Sequence, residues 1–273
     1  MKNMLTKEQI IAQVNERKNQ IQQKVGGLTG SQTGTEGRDR LFGGMNNDSL
    51  VGLGGDDFIS AGLGDDFIDG GTGDDDLFGG LGNDYILGGD GNDKIYGQVG
   101  DDLLYGGAGN DTIDGSIGSD VIFGGDGNDN LIGGPNGDPN APEDFFVDFL
   151  IGGNGSDTLN AFGGGTGNLI ERDILVGGGA VDANGSITSI DGDGATDIFV
   201  LGNANGYFYA NAGNDDYAII YGFEKGVDQL QLTTKAGTSH QFGLTASGNT
   251  LVYANLATGP DLIAIVAGVN LLS

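Results

Sequence analysis

The 273-residue chain has no cysteine and a single histidine, His240. No disulfide holds it together, and the paired-histidine motif of zinc hydrolases is excluded. Positive charge is scarce: 11 Lys and Arg stand against 39 Asp and Glu, a formal charge of −28 that argues against nucleic acid as a partner. Long apolar runs are missing too. The longest, Leu262 to Ser273, is too short to span a bilayer. The first 25 residues lack the apolar stretch of a cleaved secretory leader. No serine lies in a nucleophile elbow, and no lysine follows the glycines as in a phosphate-binding loop. The 33 residues before the repeats described next leave no room for a catalytic domain. His240, in the polar stretch 238–241, reads as a surface residue. The chain is read as not an enzyme.

What is abundant is glycine, 57 residues, arranged in a nine-residue word from Gly34 to Gly134. From Gly43 the blocks run GGMNNDSLV, GLGGDDFIS, AGLGDDFID, GGTGDDDLF, GGLGNDYIL, GGDGNDKIY, GQVGDDLLY, GGAGNDTID, GSIGSDVIF and GGDGNDNLI. One aspartate recurs in every copy: Asp39, Asp48, Asp57, Asp66, Asp75, Asp84, Asp93, Asp102, Asp111, Asp120 and Asp129. Two residues after each comes an aliphatic, from Leu41 to Leu131. A glycine pair and a third glycine two residues on permit positive φ and a tight concave turn. The three residues after the aspartate form a short strand whose middle side chain points inward. Two words make one coil of eighteen residues, so the aspartates stack in two rows, Asp39 to Asp129 and Asp48 to Asp120. Carboxylate and carbonyl oxygens of stacked turns then face a common cavity. That cavity suits a hard cation taking six to eight oxygens, calcium rather than magnesium.

These residues resemble the RTX proteins, bacterial toxins, proteases, lipases and adhesins exported by type I secretion. The resemblance is strong from Gly34 to about Asn160 and looser to Ser273. It implies an all-β, right-handed parallel β-roll, calcium ions between successive turns, a closing C-terminal domain and an uncleaved C-terminal export signal. The aspartates named above match the family's liganding position, and Asp148 and Asp157, where the word restarts after an excursion at 133–147, are candidates of the same kind. Asp173 and Asp197 begin strand halves with lengthened turns and are weaker candidates. Asn46, Gln98, Ser116 and Ala61 depart from the glycine pattern, so those four turns are expected to hold ions less well. The protease and lipase members are poor guides, since their catalytic motifs are absent here.

Between Gly34 and Gly134 stand 21 acids against Arg38, Arg40 and Lys94, a net of −18. Without cations such a block repels itself and has one dependable apolar residue per word, the composition of a disordered chain. Folding and metal binding are expected to be one event. A chain of this kind stays unfolded where calcium is low, passes an exporter and folds outside. That places it as secreted or extracellular, with calcium and the type I export machinery as its partners and no membrane span.

The expected organisation is an N-terminal amphipathic helix at 1–25, a linker at 26–36, a regular roll at 37–134, irregular coils at 135–200, and a C-terminal β cap at 201–273. Thr6 and Gln9 form a capping box, and Ile10, Val14, Ile21 and Val25 lie on one stripe, with Ile11 beside it. Capping of the open first coil, a partner-binding helix and a disordered tail all remain open readings. On one sheet the outward residues (Ser49, Val51, Phe67, Asp69, Tyr85, Leu87, Leu103, Tyr105, Val121 and Phe123) are mostly apolar, so that face is expected to be covered by the helix, the C-terminal region or another copy. Intrinsic strand preference of aromatics is the alternative. The segment 191–197 has oxygen-rich spacing but lacks the glutamate of a helix–loop–helix calcium site. Two functions stay open: a structural calcium-binding surface or matrix protein, and an adhesin-like binding module for carbohydrate or protein, with Tyr85, Tyr96 and Tyr105 able to stack on sugars. Threonine ladders for ice are absent from the third word position.

Overall fold

The structure, a computed structural model, describes residues 6–24, 27–134, 148–162, 173–181, 187–203, 206–207, 218–232, 239–245, 249–256 and 259–272. Val25, most of the 133–147 excursion and part of the irregular coils lie outside these residues. Each word bends at its glycines and extends after its aspartate, so successive words alternate between two facing sheets. One sheet begins Gly30–Thr33, Asp48–Gly54, Phe67–Thr72, Tyr85–Asp90 and Leu103–Ala108. The other begins Arg40–Gly44, Phe58–Leu63, Asp76–Leu81 and Lys94–Val99. Pairing is parallel, and the register is set by the eighteen-residue coil: Leu50 opposite Ile68, Ile68 opposite Ile86, Leu77 opposite Ile95. The chain forms the expected parallel β-roll.

The inward aliphatics fill the space between the sheets. Leu50, Ile59, Ile68, Leu77, Ile86, Ile95, Leu104, Ile113, Ile122 and Leu131 are all fully buried and form one continuous core. Each word supplies one such side chain, and no single coil buries its own, so stability accrues by stacking. Beyond Gly134 the stacking persists on longer turns. Phe149–Asn154, Ile174–Val176 and Ala218–Tyr221 extend the first sheet, while Thr158–Phe162, Ile198–Val200 and Gln229–Gln231 extend the second. Gly259–Val266 then pairs parallel with Ala218–Tyr221, and Thr250–Leu256 and His240–Leu244 follow antiparallel. His240 opens this edge strand rather than sitting in a turn.

The helix α1 (Lys7–Lys24) starts on the expected capping box: Gln9 N–H donates to Thr6 Oγ1 at 3.3 Å, and Gln9 Oε1 accepts from Thr6 N–H at 2.8 Å. It does not stack beneath the first coil. Its stripe Ile10, Val14 and Ile21 is buried on the outer face of the first sheet, against Leu103, Val121, Phe123, Phe149, Ile151 and Ile174. Eighteen residues reach ~27 Å, the breadth of five or six strands at ~4.8 Å. The apolar outer face predicted from the strands is thus roofed by the chain's own basic helix. Lys7 pairs with Asp191 at one end, Arg17 with Asp101 at 3.1 Å in the middle, and Gln22 bonds Tyr85 near the other end. The second sheet has no such roof among the described residues.

Candidate metal centre

Each turn places its aspartate by two constraints. After the turn, the chain re-enters the sheet, and the aspartate's carbonyl accepts the strand-starting amide of the next coil, as Asp57 does from Asp76 at 2.9 Å. Its own amide donates to Oδ1 of the aspartate one coil on: Asp57 to Asp75 at 2.7 Å, Asp66 to Asp84 at 2.8 Å, Asp93 to Asp111 at 2.8 Å. The pattern begins at Asp39 and Asp48, whose amides reach Asp57 and Asp66. It runs through Asp102, Asp120 and Asp129, then crosses the longer loops to Asp148 and Asp157 with no break. All thirteen sequence-predicted aspartates therefore lie in two hydrogen-bonded files.

One oxygen is left over on ten of these carboxylates. Oδ2 of Asp57, Asp66, Asp75, Asp84, Asp93, Asp102, Asp111, Asp120, Asp129 and Asp157 is buried with no hydrogen-bond partner. A buried, unpaired carboxylate oxygen is strongly disfavoured unless a cation or a proton meets it. Burial accordingly pushes these acids up: Asp66 and Asp129 to about 6, Asp75, Asp93 and Asp111 to about 7, Asp84 and Asp157 to about 8. Asp102 and Asp120 are pushed well above the carboxylate range for the same reason, and Asp102 is raised further by Asp120 and Asp84 beside it. The file ends differ. Asp39 Oδ2 accepts from Thr35 N–H at 2.6 Å and Asp48 Oδ2 from Gly44 N–H at 2.7 Å, so the outermost carboxylates are satisfied by their own turns.

The first glycine of the word borders the leftover oxygen. A Cβ on Gly34 would lie 2.7 Å from both Asp39 Oδ2 and the Gly52 carbonyl oxygen. At Gly52, Gly70, Gly88 and Gly106 the same pair, a carboxylate Oδ2 and the next coil's glycine carbonyl, would be overlapped. Ala61 holds this place in its word. The second glycine takes positive φ, as at Gly71 (106°) and Gly89 (117°), and where it is replaced the substitute is held there as well: Leu53 at 81°, Gln98 at 80°, Ser116 at 70°. Leu53 is a departure that the sequence reading passed over. Among the described residues no three His, Cys, Asp or Glu side chains converge on one point, so any cage combines carboxylates with backbone carbonyls. Such an all-oxygen set fits a hard, flexible-coordination ion and not a transition metal.

Sequence reasoning ranked Asp173 and Asp197 low and did not name Asp228 as a ligand. The structure brings all three into the files: Asp148 N–H donates to Asp173 Oδ1, Asp157 N–H to Asp197 Oδ1, and Asp197 N–H to Asp228 Oδ1. The signal was the triplet of aspartate, any residue, apolar residue, seen in Asp173-Ile-Leu, Asp197-Ile-Phe and Asp228-Gln-Leu. The segment 191–197 is not a self-contained ion loop. Asp191 faces Lys7, Asp193 accepts from Gly155 N–H, and Asp197 accepts from Asp157 N–H.

Two facing parallel sheets with files of buried carboxylates at their turns define a cation-binding β-roll. A family model of the RTX calcium-binding nonapeptide repeat matches residues 33–68, 51–86, 69–104, 78–113, 105–138 and 145–168. Residues 33–138 and 145–168 carry that calcium-binding repeat, and the protein is a β-roll that binds calcium at multiple sites. No curated protein matches the chain.

Proposed function

We propose that this is a secreted, non-enzymatic calcium-binding protein that folds when it meets calcium outside the cell and serves a structural role at a surface or in a matrix. The ligands are the interior file members Asp57, Asp66, Asp75, Asp84, Asp93, Asp102, Asp111, Asp120, Asp129, Asp148 and Asp157. Asp39 and Asp48 close the files at reduced occupancy, since their Oδ2 atoms already accept turn amides. The observation that carries the reading is the row of buried Oδ2 atoms without partners. In a block of net charge −18, that row opposes folding until divalent ions enter. Extracellular calcium, at roughly 10⁻⁴–10⁻³ M, matches the working range of such modules. Export through a type I machine follows from the need to cross a membrane unfolded, and no helix among the described residues is long and apolar enough to span one.

The test is circular dichroism during a calcium titration, with mass in solution measured alongside. Strand signal should appear with calcium and vanish in chelator. A full β spectrum in excess chelator would overturn coupled folding.

A second reading, a carbohydrate-binding module, is supported by one observation. On the unroofed sheet Phe42, Phe58, Phe78 and Tyr96 form a row with ring centroids 5.8, 5.3 and 5.0 Å apart, and Phe42 is 52 % exposed. Tyr85 and Tyr105, named with Tyr96 as sugar-stacking candidates, pack instead against the cluster under the helix. Glycan-array binding lost in Tyr96→Ala and Phe78→Ala would move the function to this class.

A further inference from the structure

The two turn edges of the roll differ at the third residue of the word. Where the chain passes from the second sheet to the first, that residue is Met45, Leu63, Leu81, Val99 and Ile117 in successive coils. Where it returns, the place is held by Gly54, Thr72, Asp90, Ala108 and Asp126. Both sets do the same work in the backbone. Gly64 N–H donates to Leu81 O at 2.8 Å and Gly82 N–H to Val99 O at 2.9 Å, just as Gly73 N–H donates to Asp90 O and Gly91 N–H to Ala108 O, each at 2.8 Å. The coil therefore accepts polar and apolar residues alike here, and the fold does not require an aliphatic.

The five aliphatics stand 39 to 81 % exposed. Strand register holds them in line: Leu63 opposite Leu81, Leu81 opposite Val99, and Val99 opposite Ile117, with Met45 just after the pair of Gly44 and Gly62. At ~4.8 Å per strand they make a ridge about 19 Å long. It bears no formal charge, on a chain of net −28. Single exposed leucines are ordinary, whereas an unbroken apolar ridge marks a contact surface.

The period of the ridge selects its occupant. A helix lying along it advances about 5.4 Å per turn and drifts half a step out of phase over the five side chains. An extended strand presents side chains on one face only every ~6.7 Å. Stacked strands repeat at ~4.8 Å, and this chain offers such a stack bearing matching side chains. We propose that the ridge is a self-association surface, on which two copies of the folded roll pack side by side about a two-fold axis with their ridges interdigitated. Leu81 is the middle member, so it meets its counterpart in the second copy whether the ridges run parallel or antiparallel. The exposed area is on the order of 400 Å² per copy. With the flanking turns, a pair reaches roughly 1,000 Å² in total, the lower limit for a specific contact, so the dimer is weak and concentration-dependent. Its net charge opposes pairing, and added salt strengthens it by screening. The proposal rests on the calcium reading, because the ridge is aligned only in the folded roll.

The test is sedimentation velocity of the full chain in saturating calcium over a range of concentrations, with circular dichroism alongside. A reversible dimer is expected that tightens with salt and is lost in chelator. Leu81→Asn should weaken it by about tenfold or more, since a two-fold contact counts each loss twice, with the strand spectrum retained. Phe78→Ala, in the aromatic row of the second sheet, should leave it unchanged. A folded wild type still monomeric at ~1 mM overturns the ridge contact and leaves the calcium sites standing. So does a folded Leu81→Asn that pairs like wild type, or a dimer lost on Phe78→Ala alone. A chain that does not fold in calcium overturns the calcium reading instead. Should Leu81→Asn fail to fold, the absence of native cysteine gives a second measurement. Leu81→Cys should form a disulfide-linked dimer with oxidised glutathione in calcium, and Thr72→Cys on the opposite edge should not. Equal cross-linking of the two refutes the proposal.

Discussion

The amide of Asp84 donates to Oδ1 of Asp102 at 2.7 Å while Oδ2 of Asp102 is buried and unpartnered. One carboxylate thus serves two tasks: an oxygen in the hydrogen-bonded spine and an oxygen offered to an ion. Asparagine separates them, because it keeps the Oδ1 acceptor and replaces Oδ2 with a donor. Asp102→Asn should lose the ion bordered by Asp102 and weaken the calcium-loaded roll by about 1–3 kcal/mol. Without calcium the same change removes a buried charge and should make the chain more compact, not less. Asp102→Ala breaks the spine too and should cost the calcium-loaded roll more than Asp102→Asn does. Thermal scans with calcium and chain dimensions in chelator check the two variants.

Acid should substitute for calcium. Asp66, Asp75, Asp84 and Asp157 have folded-state pKa values of about 6 to about 8, raised chiefly by burial. A raised carboxylate pKa means the folded chain holds protons more tightly than the unfolded one. The associated stability is present below the ordinary aspartate range and lost as pH rises through 6 to 8. In chelator the roll should be most folded near pH 4 and unravel toward neutrality. With calcium the dependence reverses, since the ion displaces those protons and acid displaces the ion. Chain dimensions measured by small-angle scattering across pH, with and without calcium, check both directions. A calcium-free chain that expands on acidification contradicts the cage account.

The roll was legible in the sequence because its two determinants are local and periodic. A word of nine puts every inward aliphatic from Leu41 to Leu131 on schedule, and all are buried. The position of α1 was legible only as one of three ways to cover the apolar sheet face: the helix, the C-terminal region or another copy. The stripe of Ile10, Val14 and Ile21 shows that the helix has a face to bury, and the apolar exterior of one sheet shows a surface needing cover. Nothing in either segment states that the two meet, since hydrophobic burial carries no address. The tail of the file at Asp197 and Asp228 was obscured for another reason. There, stacking is maintained by strand register rather than by glycine spacing, so the period vanishes while the contact remains.

Removing the roof should expose the face beneath it. Ile10 is fully buried among Val14, Phe149, Ile151 and Ile174, and a buried isoleucine cut to alanine loses about 2–5 kcal/mol. Because Ile10 lies in the helix and not in a coil, that loss should appear as undocking of α1 with the calcium-dependent strand spectrum intact. Ile10→Ala with Val14→Ala should bind an apolar dye and associate at higher concentration. A helix-free roll that stays monomeric and dye-silent would show that the aromatic exterior needs no cover.

Leu53 sits at φ 81° opposite Gly71 at 106°, in the same left-handed place of successive coils. The flanking amides hold it there: Gly54 N–H donates to Thr35 O at 3.2 Å and Gly55 N–H to Thr72 O at 2.7 Å. For an L-residue this conformation costs about 1–2 kcal/mol. Leucine's side chain recovers little of it by burial, being 40 % exposed. Glycine relieves the strain but loses about 0.5–1 kcal/mol more chain entropy on folding. Leu53→Gly should therefore gain up to about 1 kcal/mol, read as a higher melting temperature at fixed calcium. The converse change is not its mirror image. Gly71→Leu imposes the same strain and also drives a Cβ into the Leu53 carbonyl, so it should destabilise by more than Leu53→Gly gains. Equal and opposite shifts would mean that backbone conformation alone, not stacking distance, sets which residues these turns accept.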